Sequence, residues 1–193
     1  MDRDGVINRK APEGRYVTRW EDFHVLPGVV EGITLLNRAG FCVIVVTNQR
    51  CIAKGLMTVA DLEKMHQRMS DLLARAGATI DAIHYCPHEV EQSCNCRKPV
   101  PGMLLDAASS RGIELPASWV IGDSDTDVEA GKNAGCKTAR LLTINETVDE
   151  RGCRDATRNY PDIVAPSLLD AIRQILHWKG AAVGSFTADP SAT

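Results

Sequence analysis

The chain has 193 residues, of which 44% are hydrophobic, and a formal net charge of −3 at pH 7. This length fits one domain with a buried core. The small negative charge, without a long run of one sign, argues against a nucleic-acid-binding protein, whose surface is usually basic. No apolar stretch approaches the roughly 18 residues of a membrane span, and the first residues do not resemble a signal segment. We therefore expect a cytoplasmic monomer that binds neither nucleic acid nor membrane.

Apolar, strand-like runs alternate along the chain with segments of helical periodicity. Strands are predicted at 41–46, 82–86, 119–121 and 138–142, and helices at 28–39, 59–76, 102–111, 125–134 and 167–178. This alternation favours parallel strands and a three-layer α/β sandwich around a mostly parallel sheet. We assign residues 1–179 to one domain without a large cap domain, predict a loop at 144–160 and expect a disordered tail at 180–193.

Polar residues follow three of the predicted strands. Thr47, Asn48 and Gln49 follow the first, the segment from Cys86 to His88 ends the second, and Asp123 follows the third. In open α/β sheets, ligands bind at the carboxyl ends of the strands. We therefore expect a functional site where these loops meet.

Two acidic segments lie at distant positions in the sequence. Asp2 and Asp4 are two residues apart, and Gly5 permits a turn after them. Asp123 and Asp127 surround the start of a predicted helix. Carboxylates suit Mg²⁺, and one of them could attack phosphorus while another moves a proton. Each pair could instead be a solvated turn or an ordinary acidic helix start.

Further residues suit phosphate chemistry. Thr47 and Asn48 offer a hydroxyl and an amide to phosphoryl oxygens, and Lys98 can neutralise their charge. Arg97 can bind a second phosphate with two hydrogen bonds. Turn chemistry and a solvated basic pair remain the alternative interpretations.

Three cysteines and one histidine lie within eleven residues, at Cys86, His88, Cys94 and Cys96. A Cys₃His set is a common structural zinc site, although this spacing is not that of an ordinary zinc finger. Incidental surface thiols are the alternative, and a redox pair is disfavoured because the spacing is not Cys-x-x-Cys. We predict a zinc-braced loop that holds Arg97 and Lys98 in place.

In their order along the chain, these segments resemble the four motifs of the haloacid-dehalogenase-type (HAD) phosphatases. The matching segments are Asp2-Arg3-Asp4-Gly5-Val6, Val46-Thr47-Asn48-Gln49, Arg97-Lys98-Pro99 and Gly122-Asp123 with Asp127. The resemblance implies a Mg²⁺-dependent phosphatase with a HAD-like fold. It implies that Asp2 is the nucleophile and Asp4 the general acid and base, and that Thr47 and Lys98 stabilise the phosphoryl group. It also implies that Asp2, the Asp4 carbonyl and Asp123 hold Mg²⁺, with Asp127 in support.

The cysteine-histidine loop resembles one branch of that superfamily, which contains heptose bisphosphate phosphatases and histidinol-phosphate phosphatases. The segments around Tyr16, Trp20 and Ile52 are more similar to the heptose enzymes. That resemblance implies a small phosphorylated sugar as substrate, on the route to lipopolysaccharide. It implies substrate contacts at Asn48, Gln49, Arg50, Arg97 and Ser124. A histidinol phosphatase and a non-catalytic zinc-braced binding module are the competing hypotheses.

Three features depart from the family pattern. The family has a buried strand before the first aspartate, whereas Asp2 is almost the first residue here, so we expect the first strand to be truncated. Arg50-Cys51 replaces a common Ser-Gly pair. Ser124 replaces a lysine that is frequent in the heptose enzymes, which leaves the exact substrate open.

Overall fold

The structure is a computed structural model that describes residues 1–142 and 160–184. Within these residues, five strands and five α-helices follow one another in the order expected of an α/β protein. The strands are β1 (Ile44–Asn48), β2 (Ala82–Cys86), β3 (Trp119–Gly122), β4 (Lys137–Leu141) and β5 (Ile163–Ala165). The α-helices are α1 (Val29–Arg38), α2 (Val59–Arg75), α3 (Gly102–Arg111), α4 (Asp125–Asn133) and α5 (Leu168–Gly184).

All strand pairings within the two sheets are parallel. β1 pairs with β2, and β4 lies between β3 and β5. Met1 and Asp2 lie between these two sheets. The Met1 amine donates to the Ile44 carbonyl over 2.7 Å, Val46 N donates to the Met1 carbonyl, and Asp2 N donates to the Ile121 carbonyl, each over 2.9 Å. These bonds place the first two residues in the centre of the structure.

A cavity of about 220 Å³ adjoins Met1 between β1 and β3, with lining residues that include Val43, Ile44 and Val120. The truncation of the first strand stays a prediction.

Helices cover both faces of the strands, which confirms the three-layer architecture. Alternate residues of β1 point to opposite sides: Val45 joins the main core, and Val46 packs in a smaller cluster with Met103 of α3. The main core includes apolar residues of α1, α2 and α5. On α2, Leu62, Met65, Met69 and Leu73 recur at helical spacing and form its buried face.

Helix starts follow local sequence signals. The Thr58 hydroxyl accepts from Asp61 N at the start of α2, and Ser124 and Asp127 form a capping box at the start of α4. α3 ends at Gly112, which has a φ of +63°. None of the helices in the described ranges combines the length and apolarity that a bilayer crossing requires.

The predicted elements are present, with two larger differences in extent and one additional strand. β1 begins at Ile44 rather than at residue 41, because Phe41 N bonds to Leu36 O in the turn after α1. β5 was not predicted, since three residues are too few to show a period. α5 continues to Gly184, so residues 180–184 are helical where a disordered tail was expected. Most of the loop predicted at 144–160, and residues 185–193, lie outside the described residues.

Candidate active site

A cleft of about 370 Å³ lies at the carboxyl ends of β1 and β3, beneath the loop of residues 10–17. It brings together the acidic, polar and basic segments that the sequence singled out. The predicted site residues that line it are Asp2, Asp4, Thr47, Asn48, Gln49, Arg97, Lys98, Asp123, Ser124 and Asp127. Parallel strands present these loops at one edge, as expected.

Lys98 lies at the base of the cleft and is 4% exposed. Its ammonium group contacts Asp2 Oδ1 at 2.9 Å and Asp127 Oδ1 at 2.6 Å, and it donates to the Val46 carbonyl at 2.7 Å. Burial disfavours its charge, but the two carboxylates outweigh that effect and raise the pKa of Lys98. A permanent positive charge is therefore fixed beside Asp2.

Burial raises the pKa of Asp2 to about 6, with the Asp127 and Asp4 charges acting in the same direction and Lys98 opposing them. Asp4 behaves oppositely. Burial favours its neutral form, but Arg3 and hydrogen bonds from Asn8 and Gln49 outweigh burial and lower the pKa of Asp4. Two neighbouring carboxyl groups thus occupy electrostatically different sites, and without substrate and metal the site favours the ionised form of Asp4 and disfavours that of Asp2.

Thr47 and Gln49 form the polar end of β1. Gln49 Nε2 donates to Asp4 Oδ2 and to Thr47 Oγ1, each at 2.9 Å. Both side chains are nearly fully buried, so their hydrogen bonds define one arrangement around Asp4. Cys51, which belongs to the Arg50-Cys51 pair that departs from the family pattern, is also buried. Its thiol lies 3.6 Å from Gln49 Oε1.

Asp123 approaches the turn after Asp4 very closely. Gly5 has a φ of +90°, and a Cβ there would lie 2.3 Å from Asp123 Oδ2. Only glycine fits this turn, for steric and conformational reasons. Burial raises the pKa of Asp123 despite the nearby ammonium group of Lys10, which lies 2.7 Å from Asp123 Oδ2.

The side chains of Asp2, Asp123 and Asp127 offer oxygens that lie within 4.8 Å of one another. Asp123 Oδ1 is buried and has no hydrogen-bond partner among the described residues. An unpartnered buried carboxylate oxygen is costly, and hard oxygen donors suit Mg²⁺. These residues therefore fit a magnesium ion. Asp127 was predicted only to support the site, but its carboxylate lies as near to Asp2 and Asp123 as a shared ligand would.

Several predicted substrate-binding residues already have protein partners. Asn48 makes two 3.1 Å hydrogen bonds with the Lys98 main chain, and Arg97 donates to the His88 carbonyl at 3.2 Å. Arg50 pairs with Glu89 and is not among the described residues that line the cleft. Ser124 bonds to Asp127 at the start of α4. Their substrate contacts stay predictions.

The cysteine-histidine loop forms a compact cluster. His88 Nδ1 lies 3.5 Å from Cys86 Sγ and 3.2 Å from Cys96 Sγ, and Cys94 Sγ lies 3.5 Å from both other sulfurs. A tetrahedral ion with Zn–S bonds of about 2.3 Å separates its sulfur ligands by roughly 3.8 Å. Three thiols and one imidazole at these separations fit zinc.

The sequence analysis missed several contributors to the site, including the loop of residues 10–17 that lines the cleft. Arg3 and Asn8 donate to the Asp4 carboxylate, and Lys10 pairs with Asp123. The position of Arg3 between the two aspartates was a possible signal. No sequence signal linked Lys10 to a residue more than a hundred positions away.

A parallel α/β fold with this cluster of carboxylates, threonine and lysine defines a phosphatase of the haloacid-dehalogenase type. A family model described as HAD-hydrolase-like matches residues 95–171. The D-glycero-beta-D-manno-heptose-1,7-bisphosphate 7-phosphatase of Pseudomonas putida is 39% identical over 166 residues, covering 86% of this chain and 94% of that protein. The chain belongs to this family of HAD phosphatases.

Two further comparisons agree. The enzyme of the same name from Bordetella bronchiseptica is 36% identical, covering 86% of this chain and 92% of that protein. The crystal structure of D,D-heptose 1,7-bisphosphate phosphatase from B. bronchiseptica, complexed with magnesium and phosphate, superposes with a TM-score of 0.78 at 34% identity. It covers 92% of this chain and 96% of that one. These relatives favour the heptose enzymes over the histidinol-phosphate alternative.

Proposed function

We propose that the protein removes the 7-phosphate of D-glycero-D-manno-heptose 1,7-bisphosphate through an aspartyl-phosphate on Asp2. The convergence of Asp2, Lys98 and Asp123 from three distant segments on one cleft carries the proposal. The names of the relatives support the substrate. A role on the route to lipopolysaccharide and a cytoplasmic location are further predictions.

Asp2 attacks phosphorus, so that a carboxylate oxygen–phosphorus bond forms while the bond from phosphorus to the sugar oxygen breaks. Asp4, which must first take up a proton because its pKa is lowered in the unliganded site, gives that proton to the sugar oxygen. Asp4 then takes a proton from water, which attacks phosphorus, releases inorganic phosphate and restores Asp2. Lys98 and Thr47 stabilise the phosphoryl charge, and most of the rate gain comes from positioning and electrostatics.

Asp2, Asp123 and the Asp4 carbonyl would hold Mg²⁺, with Asp127 in support. When bound, the ion would neutralise charge on the transferring phosphoryl group. Cys86, His88, Cys94 and Cys96 would hold a structural zinc ion that fixes the loop before Arg97 and Lys98.

The decisive experiment measures phosphate release from the heptose bisphosphate and from histidinol phosphate, with and without Mg²⁺. We expect Mg²⁺-dependent turnover that is much faster on the heptose, and we expect Asp2→Asn to abolish it. Faster turnover of histidinol phosphate would identify that compound, and not the heptose bisphosphate, as the preferred substrate. Absence of turnover in the wild type, or full turnover by Asp2→Asn, would favour a non-catalytic binding module.

Zinc is tested separately by elemental analysis of the purified protein. One zinc per chain is expected, and a content near zero would remove this part of the proposal. The matched variant Cys94→Ser should lower the zinc content, whereas Cys42→Ser, at an exposed cysteine outside the cluster, should not.

A further inference from the structure

Arg3 is a fully buried arginine directly behind the carboxyl group of Asp4. Its Nη2 lies 2.9 Å from Asp4 Oδ1 and 2.7 Å from Asp4 Oδ2, and its Nε donates to Oδ1 at 3.3 Å. A planar guanidinium that contacts both oxygens restricts the rotation of a carboxylate more than a lysine could. The orientation of Asp4 therefore depends on where the guanidinium is held.

Helix α2 holds the other end of that guanidinium. Arg3 Nη1 lies 3.3 Å from His66 Nε2 and 3.8 Å from Met65 Sδ. Arginine has only donors, so His66 Nε2 accepts and the ring is neutral. Burial, followed by the charge of Arg3, lowers the pKa of His66 to about 3, in agreement with this neutral state.

These contacts are internal to the protein. His66 is 5% exposed, and its ring lies 5.8 Å from that of Tyr85, while the Phe23 ring lies 5.9 Å from the Arg3 guanidinium carbon. His66 does not line the cleft, so its effect on the reaction must pass through Arg3. The buried Arg3 guanidinium, with His66 as its neutral acceptor and Phe23 as its aromatic neighbour, therefore has little freedom to move.

We propose that His66 and Arg3 are positioning residues for Asp4, with His66 fixing the guanidinium and the guanidinium fixing the carboxyl group that serves the leaving oxygen. This inference rests on the proposed acid–base function of Asp4. It assigns a role in the reaction to α2, which contributes no residue to the cleft. A displaced Asp4 delivers its proton poorly, so the defect should grow as the leaving group needs that proton more.

The test compares kcat/KM for two monoesters, p-nitrophenyl phosphate and an alkyl phosphate. The nitrophenolate departs without a proton, whereas an alkoxide requires one. Both esters give the same aspartyl-phosphate, so kcat/KM for each reports phosphoryl transfer to Asp2 and excludes the later hydrolysis step.

His66→Leu removes the acceptor, and His66→Gln keeps one of similar reach. We expect His66→Leu to lower kcat/KM about tenfold or more for the alkyl phosphate and by less than about threefold for p-nitrophenyl phosphate. His66→Gln should stay close to wild type with both esters. Met69→Leu, at a buried position one turn further along α2, controls for altered helix packing.

Equal losses with the two esters, or no loss with His66→Leu, would overturn the positioning role. Should His66→Leu fail to fold, His66→Asn replaces it, because its shorter amide stays polar but withdraws the acceptor. The same selective loss is then expected, and an equal loss contradicts the inference. Failure of the wild-type protein to hydrolyse both these esters and the heptose bisphosphate would instead reject the proposed function itself.

Discussion

At the scale of single residues, the site depends on charges that are buried but paired. Lys98 lies between Asp2 and Asp127, and all three are largely shielded from solvent. Removing one partner from such a group leaves uncompensated charge, which costs more than the intact pairing contributes. Substitution of any of these three residues should therefore affect both stability and catalysis.

Lys98→Met should lower the free energy of unfolding by about 3–5 kcal/mol, because two buried carboxylates lose their counter-charge. Turnover should fall by a factor of roughly 100 or more through lost stabilisation of the phosphoryl group. Urea unfolding and phosphate release measure the two effects. Lys98→Met combined with Asp127→Asn should recover part of the lost stability but not turnover, because only Asp2 then lacks a counter-charge, and failure to recover any stability would contradict the pairing.

His66 predicts a pH dependence of stability. Its pKa is about 3 in the folded protein and about 6.5 when unfolded. Between these values the unfolded state binds the extra proton, so His66 reduces stability as pH falls below about 6.5. Urea unfolding between pH 7 and pH 4 should show a smaller loss for His66→Gln than for wild type. If stability falls equally with pH in the two proteins, protonation of His66 is not the cause of the pH dependence.

At the scale of secondary structure elements, Asp162 ties β4 to α4 just before β5. Its Oδ2 accepts from Thr138 N at 2.7 Å, Thr138 Oγ1 at 3.0 Å and Lys132 Nζ at 2.6 Å. Burial favours the neutral acid, but these donors outweigh burial and lower the pKa of Asp162. One carboxylate thus anchors two elements that support the Asp127 segment.

Asp162→Ala should lower the free energy of unfolding by about 1–3 kcal/mol, because Thr138 is fully buried and loses its acceptor. Asp162→Asn keeps an oxygen and should lose less. The contribution of the ionised group is present above its unfolded pKa and disappears as pH falls through its lower folded pKa. Thermal unfolding at pH 7 measures the stability of both variants. If Asp162→Ala is as stable as the wild type, Asp162 does not anchor β4 to α4.

At the scale of the whole molecule, the cysteine-histidine loop connects a cluster of three thiols and one imidazole to the centre of the cleft. The loop from Cys86 to Cys96 leads directly into Lys98, whose main chain is clamped by Asn48 at the end of β1. Metal binding can contribute directly to folding energy in sites of this composition. Loss of the proposed zinc should therefore affect residues beyond the cluster.

Zinc removal with a chelator should lower the melting temperature by about 5 °C or more, since each kcal/mol shifts a protein of this size by roughly 2–4 °C. Turnover should fall in parallel, because the loop no longer holds Lys98. Differential scanning calorimetry and activity after adding back Zn²⁺ measure both. Full activity of a demonstrably zinc-free protein would contradict the bracing role.

Much of this molecule could be predicted where the signal is local. The helix limits of α3, the start of α2, the strand β2 and the cysteine-histidine donors are all specified by residues a few positions apart. The start of β1 could not be, because Phe41 joins the turn after α1 through a backbone bond that periodicity does not show.

The sequence by itself determined the chemical types: paired carboxylates, a lysine, a phosphate-suited threonine and four soft metal donors, in an order that resembles one family. Only the tertiary structure decided which groups meet. Lys98 lies between Asp2 and Asp127, Lys10 reaches Asp123, and α2 reaches Asp4 through Arg3. Such contacts join residues dozens of positions apart, and they depend on strand order and helix packing, which local residue patterns do not encode.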